Sequence, residues 1–330
     1  MFNRKYADVI KIENLLAAWQ CFLRGKRHKK EVMIFQIKLG DNLANLRRAL
    51  ANYTYEHGPY SAFNVSDPKP RNIHKAIVRD RLLHHLIHRE LYPYFDRKFI
   101  YDSYSCRKNK GIHRALDRFR YFAGKMSKNN TRTCWVLGCD IKKFFASIDH
   151  KILAKILERH ISDTNINWLI GKVILSFRAA GREAGLPLGN LTSQLFANVY
   201  LHEFDMFLKQ ELRVKYYIRY ADDFVILSDN KKYLNDLLQK ISEFLQKNLK
   251  LKLHNRKIVI KTYASGVDFL GWIHFPYHRQ IRTATKRRII RRLRGYCDPQ
   301  AVISYQGLLK HGNTFKVQKK VWALLFWDLW

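Results

Sequence analysis

The stretch YYIRYADDFVIL, Tyr216 to Leu227, constrains the fold more than any other. Two apolar, β-rich arms flank a short acidic tip, Ala221-Asp222-Asp223. Aromatic and branched residues favour strands, and so short a tip predicts an antiparallel hairpin. Adjacent carboxylates repel and make poor strand material. Two readings of the tip stand side by side. One is a solvated acidic turn of type I′. The other is a cation site.

Acids are scarce in this chain, so their placement carries information. The 330 residues hold 61 Lys and Arg against 27 Asp and Glu, a net charge of +34. An excess of that size along the whole chain points to a polyanionic partner. A further acid, Asp140, closes the apolar run WVLGCD about 80 residues before the hairpin tip. Distant strands of one sheet can bring such tips together. Three converging carboxylates are untenable without cations. Oxygen-only ligands favour Mg²⁺, which keeps waters and binds phosphate oxygens. Two such ions about 4 Å apart can activate a hydroxyl and stabilise a leaving oxygen in phosphoryl transfer.

The remaining patterns order the elements. Residues 1–65 read as helical, interrupted by the basic loop RGKRHKK, Arg24 to Lys30, a solvated connector or a phosphate contact. SDPKPRNIHK, from Ser66, is Pro-broken and predicts a loop or hairpin. A helix follows up to Pro93. His84 and His88 have metal-pair spacing on it, but no third ligand and no H-E-x-x-H pattern accompany them. TCWVLGCDIKKFF predicts a strand, Leu153 to Phe177 a helical stretch, REAGLPLGN a loop and LTSQLFANVYLHEFDMFL a helix. The hairpin, another helix and short strands in IVIKTYASGVDFLGWIHF come next. From Thr283 on the chain is helical and basic, with KRRIIRRLRGY at Lys286 to Tyr296. This order predicts an α+β fold with an antiparallel sheet covered by helices. Five cysteines, odd in number and without C-x-x-C, predict a reducing, cytoplasmic setting. No secretory or membrane-spanning segment is evident.

Taken together, these segments resemble reverse transcriptases. YADD in an apolar hairpin is the family's motif. SDPKPRNIHKAIVRDRLLHHLI and DSYSCRKNKGIHRAL are similar to its two fingers motifs. DIKKFFASIDH resembles the strand with the first metal aspartate, and GLPLGNLTSQLFANVYL the nucleotide-binding loop and helix. LHNRKIVI and FLGW resemble the next palm motif and the primer grip. The resemblance implies a right-hand polymerase: a helical extension over 1–65, fingers over 66–139 with parts of 150–185, a palm over 140–275 and a helical basic thumb over 276–330.

The resemblance also implies roles. Asp140 and Asp222 would hold two Mg²⁺ ions, with Mn²⁺ able to substitute, and the Ile141 carbonyl would help one. Asp223 is the neighbouring motif acid. Phe145 falls at the steric-gate position that rejects a 2′-hydroxyl, or is a core residue. Phe144 beside it reads as core, since strand neighbours face opposite ways. Lys69 and Arg71 match the clamp on the incoming triphosphate, and Leu188, Gly189 and Gln194 line the nucleotide loop. Lys257 either meets the departing pyrophosphate or is a solvated strand lysine. Arg107 and Lys110 match template contacts, and Phe269, Leu270, Gly271 and Trp272 the primer grip. In the thumb, Ile289, Ile290 and Leu293 can share one helix face, while Arg287, Arg288, Arg291, Arg292 and Arg294 spread around the rest. Such a helix can follow a duplex backbone without reading bases.

Many relatives have glutamine where this chain has Leu188, in L-P-Q-G, followed later by S-P. Leu186-Pro187-Leu188-Gly189 followed by Ser193-Gln194 is similar to reverse transcriptases of diversity-generating retroelements. That resemblance implies template RNA, an RNA/cDNA duplex and deoxynucleoside triphosphates as substrates, with errors at adenines. It also implies a small basic pentameric accessory protein and a structured element RNA as partners. Nuclease steps are expected to come from other proteins. Two other readings stand beside it: another bacterial reverse transcriptase of defence or retron type, and a non-catalytic RNA-binding module on the same fold.

Overall fold

The computed structural model describes residues 1–66, 70–295 and 299–327. Lys69, Cys297 and Trp330 lie outside the described residues. In chain order the elements begin with α1 (Tyr6–Val9), α2 (Ile12–Leu23), α3 (Lys30–Ile37), α4 (Leu39–Ala51), β1 (Tyr60–Val65), β2 (Arg71–Ala76), α5 (Val78–Lys98) and α6 (Ile112–Met126). Then come β3 (Trp135–Asp140), α7 (Phe144–Ser147), α8 (His150–Glu158), α9 (Thr164–Leu175), α10 (Leu191–Met206), β4 (Tyr217–Tyr220), β5 (Asp223–Ser228) and α11 (Lys231–Leu249). The chain continues through β6 (Val259–Thr262), β7 (Val267–Phe269), β8 (Trp272–His274), β9 (Arg279–Ile281), α12 (Thr283–Gly295), α13 (Pro299–Leu309) and α14 (Phe315–Trp327).

Two compact units emerge. The first holds residues 1–100, 142–213 and 243–252. Here α5 contacts both α2 and α10, and it buries Leu82, Leu86 and Leu91. The antiparallel pair β1–β2 belongs to the same unit, with Val65 opposite Arg71. The second unit holds 101–141, 214–242 and the described residues from 253 on. Its main sheet has the order β4-β5-β3-β6, and β7-β8-β9 form a smaller one. Every pairing in both sheets is antiparallel. Helix α6 places Ala115, Leu116, Phe119, Phe122 and Ala123 at helical spacing on one buried face. They join Val136, Ile218, Val225 and Leu227 of the main sheet in one core.

Several local expectations change. Residues 60–65 are strand rather than helix, because β2 supplies a pairing partner that local spacing does not reveal. Helix α5 runs through Pro93 to Lys98, held by buried Leu91, Tyr92 and Phe95. The stretch Leu153 to Phe177 is two helices, the second started by Asp163, which accepts from the Asn165 and Ile166 amides at 2.9 and 3.1 Å. Phe144 and Phe145 lie on a helical turn, not a strand. Phe144 is nonetheless buried and Phe145 half-buried. Lys257 closes a 3₁₀ turn rather than sitting on a strand. His84 faces His57, Nε2 to Nε2 at 3.2 Å, and His88 stacks on Tyr92. Neither belongs to a metal-ligating cluster among the described residues.

Candidate active site

The hairpin tip and the end of β3 meet by strand register. Asp140 lies directly opposite Asp223 in the β3–β5 ladder, and Asp223 opposes Tyr220 in β4–β5. That leaves Ala221 and Asp222 as a two-residue loop. Ala221 has φ 53 while Asp222 stays out of the left-handed region. A type I′ turn needs both residues there, so the turn is not of that type. A left-handed alanine is strained by roughly 1–2 kcal/mol, so surrounding bonds must hold it. The Ile141 amide donates to the Asp222 carbonyl at 3.2 Å, and Arg219 donates to the Ala221 carbonyl at 3.2 Å.

The acids act on one another. Burial pushes the Asp223 carboxyl up to about 7, and the charges of Asp222 and Asp140 and a hydrogen bond with Asp140 push in the same direction. Lys257 opposes this. Its Nζ donates to Asp140 Oδ2 at 2.6 Å. The Lys257 turn is itself tied to β3, since the His254 amide donates to the Asp140 carbonyl at 2.8 Å and the Lys257 amide to the His254 carbonyl at 2.7 Å. The donor set is therefore hard oxygen around one lysine. Among the described residues no three His, Cys, Asp or Glu side chains form a ready-made metal cage. Such a donor set fits a hard divalent ion that fills its remaining positions with water and phosphate oxygens.

The expected nucleotide-loop residues gather in the first unit. The Leu188 carbonyl accepts from the His74 amide of β2 at 3.0 Å, and the Phe145 carbonyl from the Leu186 amide at 2.8 Å. Asn190 Nδ2 donates to the His74 carbonyl at 3.0 Å. Gly189 has φ 104, and a Cβ there would stand 2.8 Å from Ile73 Cγ2. Phe145, the Leu186–Gly189 loop and β2 are thus one hydrogen-bonded assembly, with exposed Arg71 on the same strand. Gln194, in the first turn of α10, lines a cavity of about 240 Å³ with Lys26, Arg81 and His85. Lys26 brings the basic loop to that wall.

The other expected contacts divide by exposure. Lys110 Nζ stands over the Tyr101 ring at 3.4 Å, and Arg107 Nη1 donates to the Ser103 carbonyl at 3.0 Å. Their segment runs beside β4, where the Tyr104 amide donates to the Arg219 carbonyl at 2.9 Å. Phe269 and Trp272 have buried rings. They pair across a turn whose two residues, Leu270 and Gly271, both have positive φ, 49 and 90. Only that turn is open to a ligand. In α12, Ile289 and Leu293 are buried, Ile290 half-buried, and Arg287, Arg291, Arg292 and Arg294 exposed, while Arg288 is half-buried.

Residues 66–274 match the family model described as reverse transcriptase (RNA-dependent DNA polymerase). The chain belongs to the reverse transcriptase family. It is 26% identical over 294 residues to protein YkfC of Escherichia coli (strain K12), across 77% of this chain and 74% of that one. To the group II intron-encoded protein LtrA of Lactococcus lactis subsp. cremoris it is 21% identical over 347 residues, across 82% of this chain and 56% of the other. Among solved structures, apo telomerase from Candida tropicalis superposes with a TM-score of 0.53 at 12% identity, over 82% of this chain and 57% of that one. Telomerase from Candida albicans, solved with a fragment of telomeric RNA, gives 0.51 at 13% identity, over 83% and 55%. The reverse transcriptase therefore spans little more than half of the intron-encoded protein and of the two telomerase chains. At such identities the likeness shows the fold, a right-hand polymerase with antiparallel sheets.

Sequence reasoning passes over Arg219, which is fully buried in β4 of this reverse transcriptase. The signal was present: a guanidinium between Ile218 and Tyr220, in a strand apolar on both arms, must be hydrogen-bonded. His74 and Asn190 were also missed, because they act through backbone atoms and an amide rather than through a motif.

Proposed function

We propose that the protein is an RNA-directed DNA polymerase that copies a template-repeat RNA of a diversity-generating retroelement into error-prone cDNA. The observation that carries the polymerase reading is the Asp140–Asp223 register with Asp222 in the adjoining loop and Lys257 on Asp140. Asp140 and Asp222, with the Ile141 carbonyl, would hold two Mg²⁺ ions, and Asp223 would complete the acidic site. Such ions would supply activation of the primer 3′-hydroxyl and neutralisation of the charge that builds on the phosphates. Lys257 aims the Asp140 carboxylate through its 2.6 Å bond, and its ammonium would supply the cation that a departing pyrophosphate needs. Arg71, with Lys69, clamps the triphosphate. Phe145 excludes the 2′-hydroxyl, and its backbone bond to Leu186 fixes the gate against the nucleotide loop.

The subgroup rests on Leu188. A glutamine there can hydrogen-bond near the incoming nucleotide, whereas leucine offers only apolar contact. Misaligned pairs then lose less relative to correct ones. The accessory protein and element RNA belong to the same reading. A second reading, a reverse transcriptase serving another dedicated RNA, is favoured by the likeness to the intron-encoded protein. Primer extension on an RNA template, with sequencing of the products, separates the two. Errors concentrated opposite template adenines support the retroelement role, and a flat error spectrum contradicts it.

A further inference from the structure

Helix α6 carries a glycine that its packing does not require. A Cβ added at Gly124 would meet nothing closer than Asn129 Oδ1, at 3.9 Å. Within a helix only proline is less stable than glycine, so the open space calls for an explanation. It belongs to a cavity of about 620 Å³, lined among others by Arg120, Tyr121, Lys125, Asn129, Asn130 and Tyr277. Two of the rings are unusually open for aromatic side chains, Tyr121 at 52% and Tyr277 at 79% exposure. Lys125 Nζ lies 5.7 Å from the Tyr121 centroid.

The turn that bounds the cavity is strained and firmly held. Lys128, Asn129 and Asn130 have φ 48, 57 and 69, three successive non-glycine residues in the left-handed region. Strain of this kind clusters at ligand clamps when the surroundings enforce it. Here the Asn129 amide donates to the Gly124 carbonyl at 2.8 Å and the Arg132 amide to the Ser127 carbonyl at 2.9 Å. The Asn130 amide donates to Ser127 Oγ at 2.9 Å. The one acid on the wall, Asp117, is paired with Arg279 at 3.4 Å, which leaves the cavity cationic in character.

We propose that this cavity binds an unpaired nucleotide of the RNA that the polymerase works with. The base stacks on the tyrosine rings, Asn129 and Asn130 meet its edge, and Arg120 and Lys125 hold its phosphate. Aromatic faces accept any unstacked base, amides pair with base edges, and cations follow the backbone. A continuous duplex presents phosphates but no free base face to such rings. The nucleotide bound here is not the one being copied. Tyr263, on the cavity wall, donates its amide to the Cys134 carbonyl at 2.7 Å, at the end of β3 opposite Asp140. Six strand residues separate the two ends by roughly 17–20 Å. The inference rests on the proposed action on RNA, and it adds a second RNA contact on the same unit.

The test uses the full chain with unlabelled primer–template in excess to occupy the polymerase groove. A fluorescein-labelled single-stranded RNA bearing 4-thiouridine is then titrated by anisotropy and photo-crosslinked. We expect crosslinks at Tyr121 or Tyr277. The Tyr121→Ala/Tyr277→Ala variant should bind about tenfold or more weakly. Gly124→Leu fills the space with a better helix former and should weaken binding similarly. Extension of a short pre-annealed primer–template should be unchanged in both. Unchanged RNA affinity in both variants, crosslinks only elsewhere, or equal competition by blunt duplex RNA would overturn the site. Absence of extension by the wild type would count against the polymerase reading instead, so the two failures are distinguishable.

Discussion

Gly189→Ala probes the contact between the nucleotide loop and β2. Two costs are readable from the structure. At φ 104 any side chain is strained, and the new Cβ would stand 2.8 Å from Ile73 Cγ2. The backbone term is roughly 1–2 kcal/mol. Crowding of a methyl against a strand side chain adds about 1–3 kcal/mol. Gly111 isolates the second term, since it has the same φ of 104 with nothing within 4 Å of its Cβ position. Gly189→Ala should therefore be less stable than Gly111→Ala by about 1–3 kcal/mol. That separates their melting temperatures by about 2–4 °C per kcal/mol for a cooperative unit of this size. Displacing the loop also disturbs the Leu188–His74 bond, so the KM for deoxynucleotides should rise in Gly189→Ala alone. Thermal melts and steady-state primer extension measure both. Equal destabilisation of the two variants, with unchanged KM in each, would refute the claim that this glycine is dictated by β2.

Leu188→Gln should lower misincorporation opposite adenine in sequenced extension products, and an unchanged error spectrum would sink that account of infidelity. Lys257→Met removes a charge-assisted bond to Asp140, of the kind that contributes about 1.5–3 kcal/mol; kcat should fall roughly tenfold to a hundredfold, with Lys257→Arg retaining most of it. Equal loss in both variants would contradict a role based on charge. Burial pushes the Cys134 and Cys139 thiols up to about 12, while Cys106 is exposed. Iodoacetamide near neutral pH should therefore modify Cys106 and spare Cys134 and Cys139, as read by peptide mass mapping; the reverse order would contradict the strand assignment of WVLGCD.

The meeting of the acids in the candidate site was legible because it is written in strand endings. An acid after five apolar residues, and an acidic pair at a hairpin tip, can meet only if register allows, and Asp140 opposite Asp223 is that register. The nucleotide loop was legible as a motif but not as a structure. Its attachment runs through the His74 amide and carbonyl, which any residue supplies, so no sequence pattern marks it. The β1 strand was missed for a related reason, since its identity depends on its partner β2 beyond a Pro-containing stretch of sequence. Phe269 and Trp272 show the opposite case. The motif was visible, yet their rings are needed in the core, and only the Leu270-Gly271 turn remains available. Arg219 was legible in principle, because a buried charge inside an apolar strand always requires partners.

Asp140, Asp222 and Asp223 are proposed to form a metal-dependent polymerase centre. Its most direct test is Mg²⁺-dependent incorporation of deoxynucleotides on a primed RNA template by the wild type and by Asp222→Asn, with folding checked by circular dichroism. Incorporation should rise with Mg²⁺ in the wild type and be abolished in a folded Asp222→Asn protein. Equal incorporation by the two, or incorporation that persists in excess EDTA, would contradict it.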